Sequence, residues 1–164
     1  MIFNIKKHNS NLYNTLLYLA RNLFFYTKLN FKDSYETRIY LMFLHFSTIL
    51  FIYKIKKISF PQNEYDNLFF SIENNLRELG FGDVAVNKKM KELNKVFYDI
   101  LLKFNKSKNE LHLEEKLVLK YFPILGGSNN EKYKLLTKYF FDFYHFCFEQ
   151  SPRTMIKDLL KFKG

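Results

Sequence analysis

The sequence predicts an all-α fold: a single-domain bundle of six to seven helices, two of them apolar and enclosed by the rest. Three observations lead there. Apolar residues recur at helical spacing along most of the chain. Only five glycines and three prolines occur in 164 residues, too few to turn a many-stranded β fold. Hydrophobic residues make up 48% and aromatics 20%, enough to fill one sizeable core.

The elements follow in order. A first helix is expected from about Ser10 to Lys28, with Leu12, Leu16, Leu19, Leu23 and Tyr26 on one stripe. After the turn LNF, Asp33 reads as the cap of a second helix, with Glu36 three residues on in a capping-box pattern. That helix runs to about Lys57 and is apolar nearly all round from Ile39 to Tyr53, which marks it as enclosed. Pro61 opens a third helix that reaches Leu79. Tyr65, Leu68, Phe69, Ile72, Leu76 and Leu79 face inward; Asn67, Ser71, Asn74, Arg77 and Glu78 face out.

Gly80 then stands where a left-handed residue ends a helix. A fourth helix is expected from Asn87 to Phe104. Its inward residues run from Met90 to Phe104, and Lys88, Lys89, Lys91, Lys95 and Lys103 face out. KSKNELHLEEKLVLKYF gives a shorter fifth helix that stops before Pro123, and PILGGSNN is the break after it. The run YFFDFYHFCF makes the sixth helix, Glu131 to Glu149, the second enclosed one. Ser151 and Pro152 then start a short final helix as cap and first residue.

Several kinds of chemistry have no signature. GFGDVA follows a helix rather than a strand and lacks the third glycine of a dinucleotide loop. His8, His45, His112 and His145 form no metal-binding pair. Asp142 and His145 stand three apart, but a carboxylate-bridged site needs paired Glu-x-x-His motifs and two further Glu. Cys147 is the lone cysteine and has no base at a matching position. No enzyme and no cofactor are expected. The opening MIFNIKKHNSN does not read as a signal peptide, because its basic residues follow the first apolar ones. The apolar run Ile39–Tyr53 has 15 residues and includes His45, against about 20 needed for a span. A soluble or peripheral protein is expected.

The net charge is +10, which admits two readings. A basic face suits RNA, a ribosome or an anionic membrane surface. Codon bias in an AT-rich genome also produces a Lys-, Asn- and Phe-rich chain. Only Arg21, Arg38, Arg77 and Arg153 among the 26 cations are arginine, whereas base readout leans on arginine forks. His45 has two readings as well: a core histidine with a hydrogen-bond partner, or, with Arg38 two turns earlier on its face, a polar seam for a carboxylate.

Two blocks carry a resemblance. In DSYETRIYLMFLHFSTIL, Arg38, Leu41, Leu44 and His45 match an Arg followed by apolar residues and Leu-His. In LRELGFGDVAVNKKMKEL, extended to Asn105, Leu76, Arg77, Glu78, Leu79, Gly80, Phe81, Gly82 and Asp83 match, then Lys88, Phe97 and Tyr98. Over residues 12–105 the chain resembles the ubiquinol–cytochrome c chaperone family. Tyr40 and Asn87 depart from its pattern.

The resemblance implies a non-enzymatic chaperone that aids assembly of cytochrome b into the respiratory bc complex, complex III. It would act in the cytoplasm or on the mitochondrial matrix side, at the inner membrane or a ribosome, with a partner assembly factor. The implied signature or client-binding residues are Arg38, His45, Arg77, Glu78, Gly80, Gly82, Asp83, Lys88 and Tyr98. GFGD is then either a turn that packing requires or one whose missing side chains let a partner come close. The competing function is a basic helical module for RNA or an anionic surface. Lys88, Lys89, Lys91 and Lys95 joined with other lysines in one continuous patch, with no exposed apolar groove, would favour that module.

Overall fold

A computed structural model describes residues 10–105, 110–126 and 131–164. The expectations for the N-terminal stretch through Asn9 (with His8), for KSKN and for GSNN lie outside these residues. The helices are α1 (Asn11–Ala20), α2 (Leu23–Thr27), α3 (Tyr35–Ile55), α4 (Gln62–Glu78), α5 (Asp83–Asn105), α6 (Glu115–Tyr121), α7 (Glu131–Glu149) and α8 (Met155–Asp158). Single 3₁₀ turns follow α6 and α8, and no strand occurs among the described residues. The fold is an all-α bundle, as the periodicity predicts.

α3 is the axis. It packs against α1, α5 and α7, while α4 closes on α1 and α5. Every residue from Leu41 to Ile49 is buried, which is why this helix shows no polar face. At 21 residues it is long and apolar enough to cross a membrane, yet 72% of its most apolar 18-residue window is buried inside the bundle. The core around it is aromatic. Phe97 lies 5.2 Å from Phe43 and 5.6 Å from Phe46, and Phe25 lies 4.7 Å from Tyr139, measured between ring centroids. At the far end Lys56 Nζ donates to the carbonyls of Phe148 (2.6 Å) and Gln150 (3.3 Å), and Tyr53 Oη donates to that of Pro152 (3.1 Å). These bonds fasten the end of α3 to the end of α7.

The structure corrects several element expectations. The first helix breaks at Arg21 and Asn22, because Asn22 Oδ1 accepts from Phe24 N at 3.0 Å and starts a new turn. The break takes Leu23 off the buried stripe and exposes it. Ser34, not Asp33, caps α3: its Oγ accepts from Thr37 N at 3.2 Å, and Asp33 is left to pair with Arg38. Leu79 is exposed and Ser71 buried, the reverse of their expected placing. Ser71 Oγ is needed inside, where it accepts from Ser10 N at 3.1 Å and donates to Asn67 O at 2.8 Å.

α5 starts at Asp83, four residues before the expected Asn87; α7 runs Glu131–Glu149 as expected, while among the described residues α6 and α8 start later than expected, at Glu115 and Met155. α7 is enclosed on one face only. Tyr139, Phe140, Phe143 and Cys147 are buried, while Phe141 and Phe148 stand in solvent on the other side.

Candidate client-binding corner

α4 and α5 form a hairpin whose corner is Leu79–Gly82. α4 ends in a double backbone closure. Gly80 N donates to Arg77 O at 3.0 Å and Phe81 N to Leu76 O at 3.3 Å. This is the paired-bond C-terminal motif that needs a left-handed residue, and Gly80 supplies it with φ +98°. Gly82 differs: its φ lies outside the left-handed region, and its carbonyl accepts from Val86 N at 2.9 Å, the first bond of α5. Gly82 therefore occupies the cap position, and Asp83 is the first helical residue.

A Cβ added at Gly82 would meet nothing within 4 Å. Among the described residues no contact demands glycine there. Leu79, Phe81 and Val84 surround it, all exposed, Val84 at 85%.

Charge frames the corner. Arg77 Nε sits 3.5 Å from Asp83 Oδ1, and its Nη1 sits 3.3 Å from Glu73 Oε2. The arginine thus bridges the last turn of α4 and the first of α5. An acid in the first turn also complements the helix dipole. Lys89 Nζ donates to Glu36 Oε1 at 3.2 Å and ties the start of α5 to the start of α3. Lys89 is therefore largely enclosed, not outward as expected. A backbone hydrogen bond, and after it that contact, hold Glu36 below the usual carboxylate range.

Along the outer face of α5 lie Val84, Lys88, Lys91, Lys95, Tyr98 and Leu102, spaced by four and three residues and all exposed. Lys88, Lys91 and Lys95 run together on this face, with Val84 at one end and Tyr98 and Leu102 at the other, while Lys89 turns away to Glu36, so the continuous patch through Lys89 that would favour the RNA module does not form. Tyr98 Oη makes a long 3.5 Å contact with Tyr65 Oη. Fifteen residues separate Tyr98 from Asp83, about 22 Å along a helix.

Of the expected residues, the structure brings Arg77, Glu78, Gly80, Gly82 and Asp83 together at the corner, with Lys88 just beyond on α5. Arg38 is near, since it and Leu79 line one small cavity. It is held by Asp33 through an Nη1–Oδ1 contact of 2.5 Å. His45 is elsewhere. It is fully buried, with Nδ1 at 2.6 Å from Leu41 O and Nε2 at 2.8 Å from Tyr139 Oη. The polar seam with Arg38 does not form, and the core reading of His45 holds. Burial lowers its pKa from 6.5 to about 3, so the ring is neutral.

Sequence reasoning missed Arg21, Tyr13, Tyr35 and Asn75, which share that cavity with Arg38. The tyrosines carried the signal of ordinary core aromatics. Among the described residues no group of three or more His, Cys, Asp or Glu is placed to hold a metal ion. Asp142 pairs with Lys138 at 2.6 Å rather than with His145. Burial pushes the Cys147 thiol up, which removes the thiolate a nucleophile needs.

Neither the curated proteins nor the solved structures give a match to this chain. The model of one family, described as Ubiquinol-cytochrome C chaperone, matches residues 27–120. The match takes in α3, α4 and α5, with the corner between them. It starts later than the resemblance read from sequence, leaving out α1, and extends through most of α6. It covers more than half of the chain, and the chain belongs to the ubiquinol–cytochrome c chaperone family.

Proposed function

We propose that the protein is a non-enzymatic assembly chaperone that binds newly made cytochrome b, or another component of the bc complex, and holds it during assembly of ubiquinol–cytochrome c reductase. One observation carries the client-binding reading: the α4–α5 corner combines a cap glycine whose added side chain would meet no described residue with three exposed apolar side chains around it. An apolar client needs contact area of that kind, and a bare backbone lets it come close. The Arg77–Asp83 pair beside it offers both charges for orientation.

The chaperone acts at the surface of the inner membrane, on the cytoplasmic or matrix side, as a soluble or peripheral protein. Two features support this. The burial of α3 leaves that helix unavailable as a span, and the lysines of α5 suit the anionic headgroups or ribosome beside which a membrane client is made.

The test is deletion of the gene, followed by assay of ubiquinol–cytochrome c reductase and of cytochrome b turnover. Loss of reductase activity with rapid cytochrome b loss is expected, restored by the wild-type gene. Normal reductase would overturn the proposal. RNA recovered by cross-linking through Lys88, Lys91 and Lys95, with no cytochrome b, would point to the basic module instead.

A further inference from the structure

We infer that the small cavity between α1, α3 and α4 is a binding site for a single carboxylate, carried on an apolar stretch of the client. The cavity has a volume of about 160 Å³, the scale of one polar group with a short apolar flank. Its polar lining donates. Arg21 and Arg38 bring guanidinium groups, Tyr13 and Tyr35 phenolic hydroxyls, and Asn75 a side-chain amide. Leu17, Ile39 and Leu79 supply the apolar wall.

The hydroxyl of Tyr35 is buried, and among the described residues no group accepts its proton. A buried donor without an acceptor is costly, and such exceptions call for an explanation such as an acceptor that arrives from outside. Burial raises both tyrosines above their ordinary range, against the opposing charge of Arg38. Both hydroxyls therefore stay protonated and able to donate.

Charge balance selects the kind of anion. Asp33 already offsets Arg38 at 2.5 Å, and the charge of Glu78 acts on Tyr13 together with those of Arg21 and Arg38. With Glu36 also acting on Tyr35, the nearby acids balance the two arginines, so no surplus of positive charge stands ready for a phosphate dianion, and a single carboxylate held by directed hydrogen bonds is the better fit. Planar guanidinium groups match the two oxygens of a carboxylate. Leu79 is also one of the exposed residues at the client-binding corner. A chain lying on that corner can thus place an acidic side chain or a terminal carboxylate in the cavity.

The inference deepens the chaperone reading and rests on it only in assigning the carboxylate to the client. The site is tested by itself with the full chain and two small probes, N-acetyl-leucine and N-acetyl-leucinamide. The arginine Nε–H resonances are followed by NMR. N-acetyl-leucine is expected to shift those of Arg21 and Arg38 saturably in the millimolar range, and the amide to leave them unmoved. Tyr35→Phe should weaken N-acetyl-leucine about tenfold, the loss of one hydrogen bond to a charged group, while melting at the wild-type temperature or above it.

Equal binding of the two probes, or no saturable shift, would overturn the site. So would tighter binding of inorganic phosphate, or Arg21-dependent capture by phosphatidylglycerol vesicles, each of which points to a phosphate ligand. Should Arg21→Gln fail to fold, Tyr35→Phe still decides, because it removes only an oxygen. A failed titration beside a deletion strain that lacks reductase removes the site and leaves the chaperone standing. A positive titration beside normal reductase does the reverse.

Discussion

Tyr139 Oη donates to His45 Nε2 at 2.8 Å across 94 positions of sequence. The direction follows from the other ring nitrogen: the carbonyl of Leu41, 2.6 Å from Nδ1, only accepts. Nδ1 therefore carries the proton. The rings of Phe140 and Phe143, each 4.8 Å away by centroid, close the site to water. Tyr139→Phe leaves a buried acceptor unpaired and should cost about 1–3 kcal/mol, read by denaturant unfolding. His45→Leu in the Tyr139→Phe background should recover part of that loss, because no polar atom is then stranded.

The same histidine gives a pH signature. Its pKa is about 3 in the folded chain against 6.5 ordinarily. Above pH 6.5 the ring is neutral in both states and the full contribution is present. As pH falls from 6.5 toward 3 the unfolded chain takes up a proton that the folded one refuses, so stability drops by roughly 1.4 kcal/mol per pH unit. Glu36 and Asp99, whose pKa values are lowered in the fold, add acid losses of their own in the carboxylate range. The window between pH 6.5 and that range therefore reports His45, and His45→Gln should flatten the slope there.

The two corner glycines should behave oppositely. Gly80→Ala forces a side chain into a left-handed residue and should cost about 1–2 kcal/mol. Gly82→Ser places a better capping residue where space is open, so stability should hold or rise by a few tenths of a kcal/mol. Cytochrome b capture should nevertheless fall for Gly82→Ser. Undiminished capture would mean that nothing approaches this backbone.

Asp83→Asn separates stability from recognition in another way. The Arg77–Asp83 pair is largely exposed, so its removal should change stability by less than about 1 kcal/mol. Client capture should weaken, since the negative charge is gone. Wild-type melting together with wild-type capture would remove Asp83 from the client surface.

Cys147 is buried in the core with its thiol pushed up. The native chain should resist a maleimide at neutral pH, and the unfolded chain should take it up at once. Mass spectrometry before and after denaturant checks this.

Local patterns made much of the molecule readable. Gly80 after Leu79 announced a left-handed helix end, and the continuous run through Leu41 and Ile49 announced an enclosed helix. Asn22 was hidden because the stripe Leu12, Leu16, Leu19, Leu23 continues past it in register, and only the side-chain cap shows the break. Phe141 and Phe148 looked like core because composition alone does not say which face of α7 meets a neighbour. The carboxylate cavity was illegible for a different reason. Tyr13 comes from α1 and Arg21 from the break just after it, Arg38 and Tyr35 from α3, and Asn75 from α4, so no local spacing relates them before tertiary packing does.

The bonds of Lys56 and Tyr53 to the end of α7 set an order of events on the ribosome. α3 is complete after residue 55, but the helix that covers one of its sides starts only at Glu131. For the whole interval between, the most apolar helix of the chain lacks that cover. During its own synthesis this chaperone briefly has the problem it is proposed to solve for its client: an apolar helix of membrane-spanning length waiting for its neighbour. A chain ending before Glu131 would stay in that condition, prone to aggregate or to partition into the membrane.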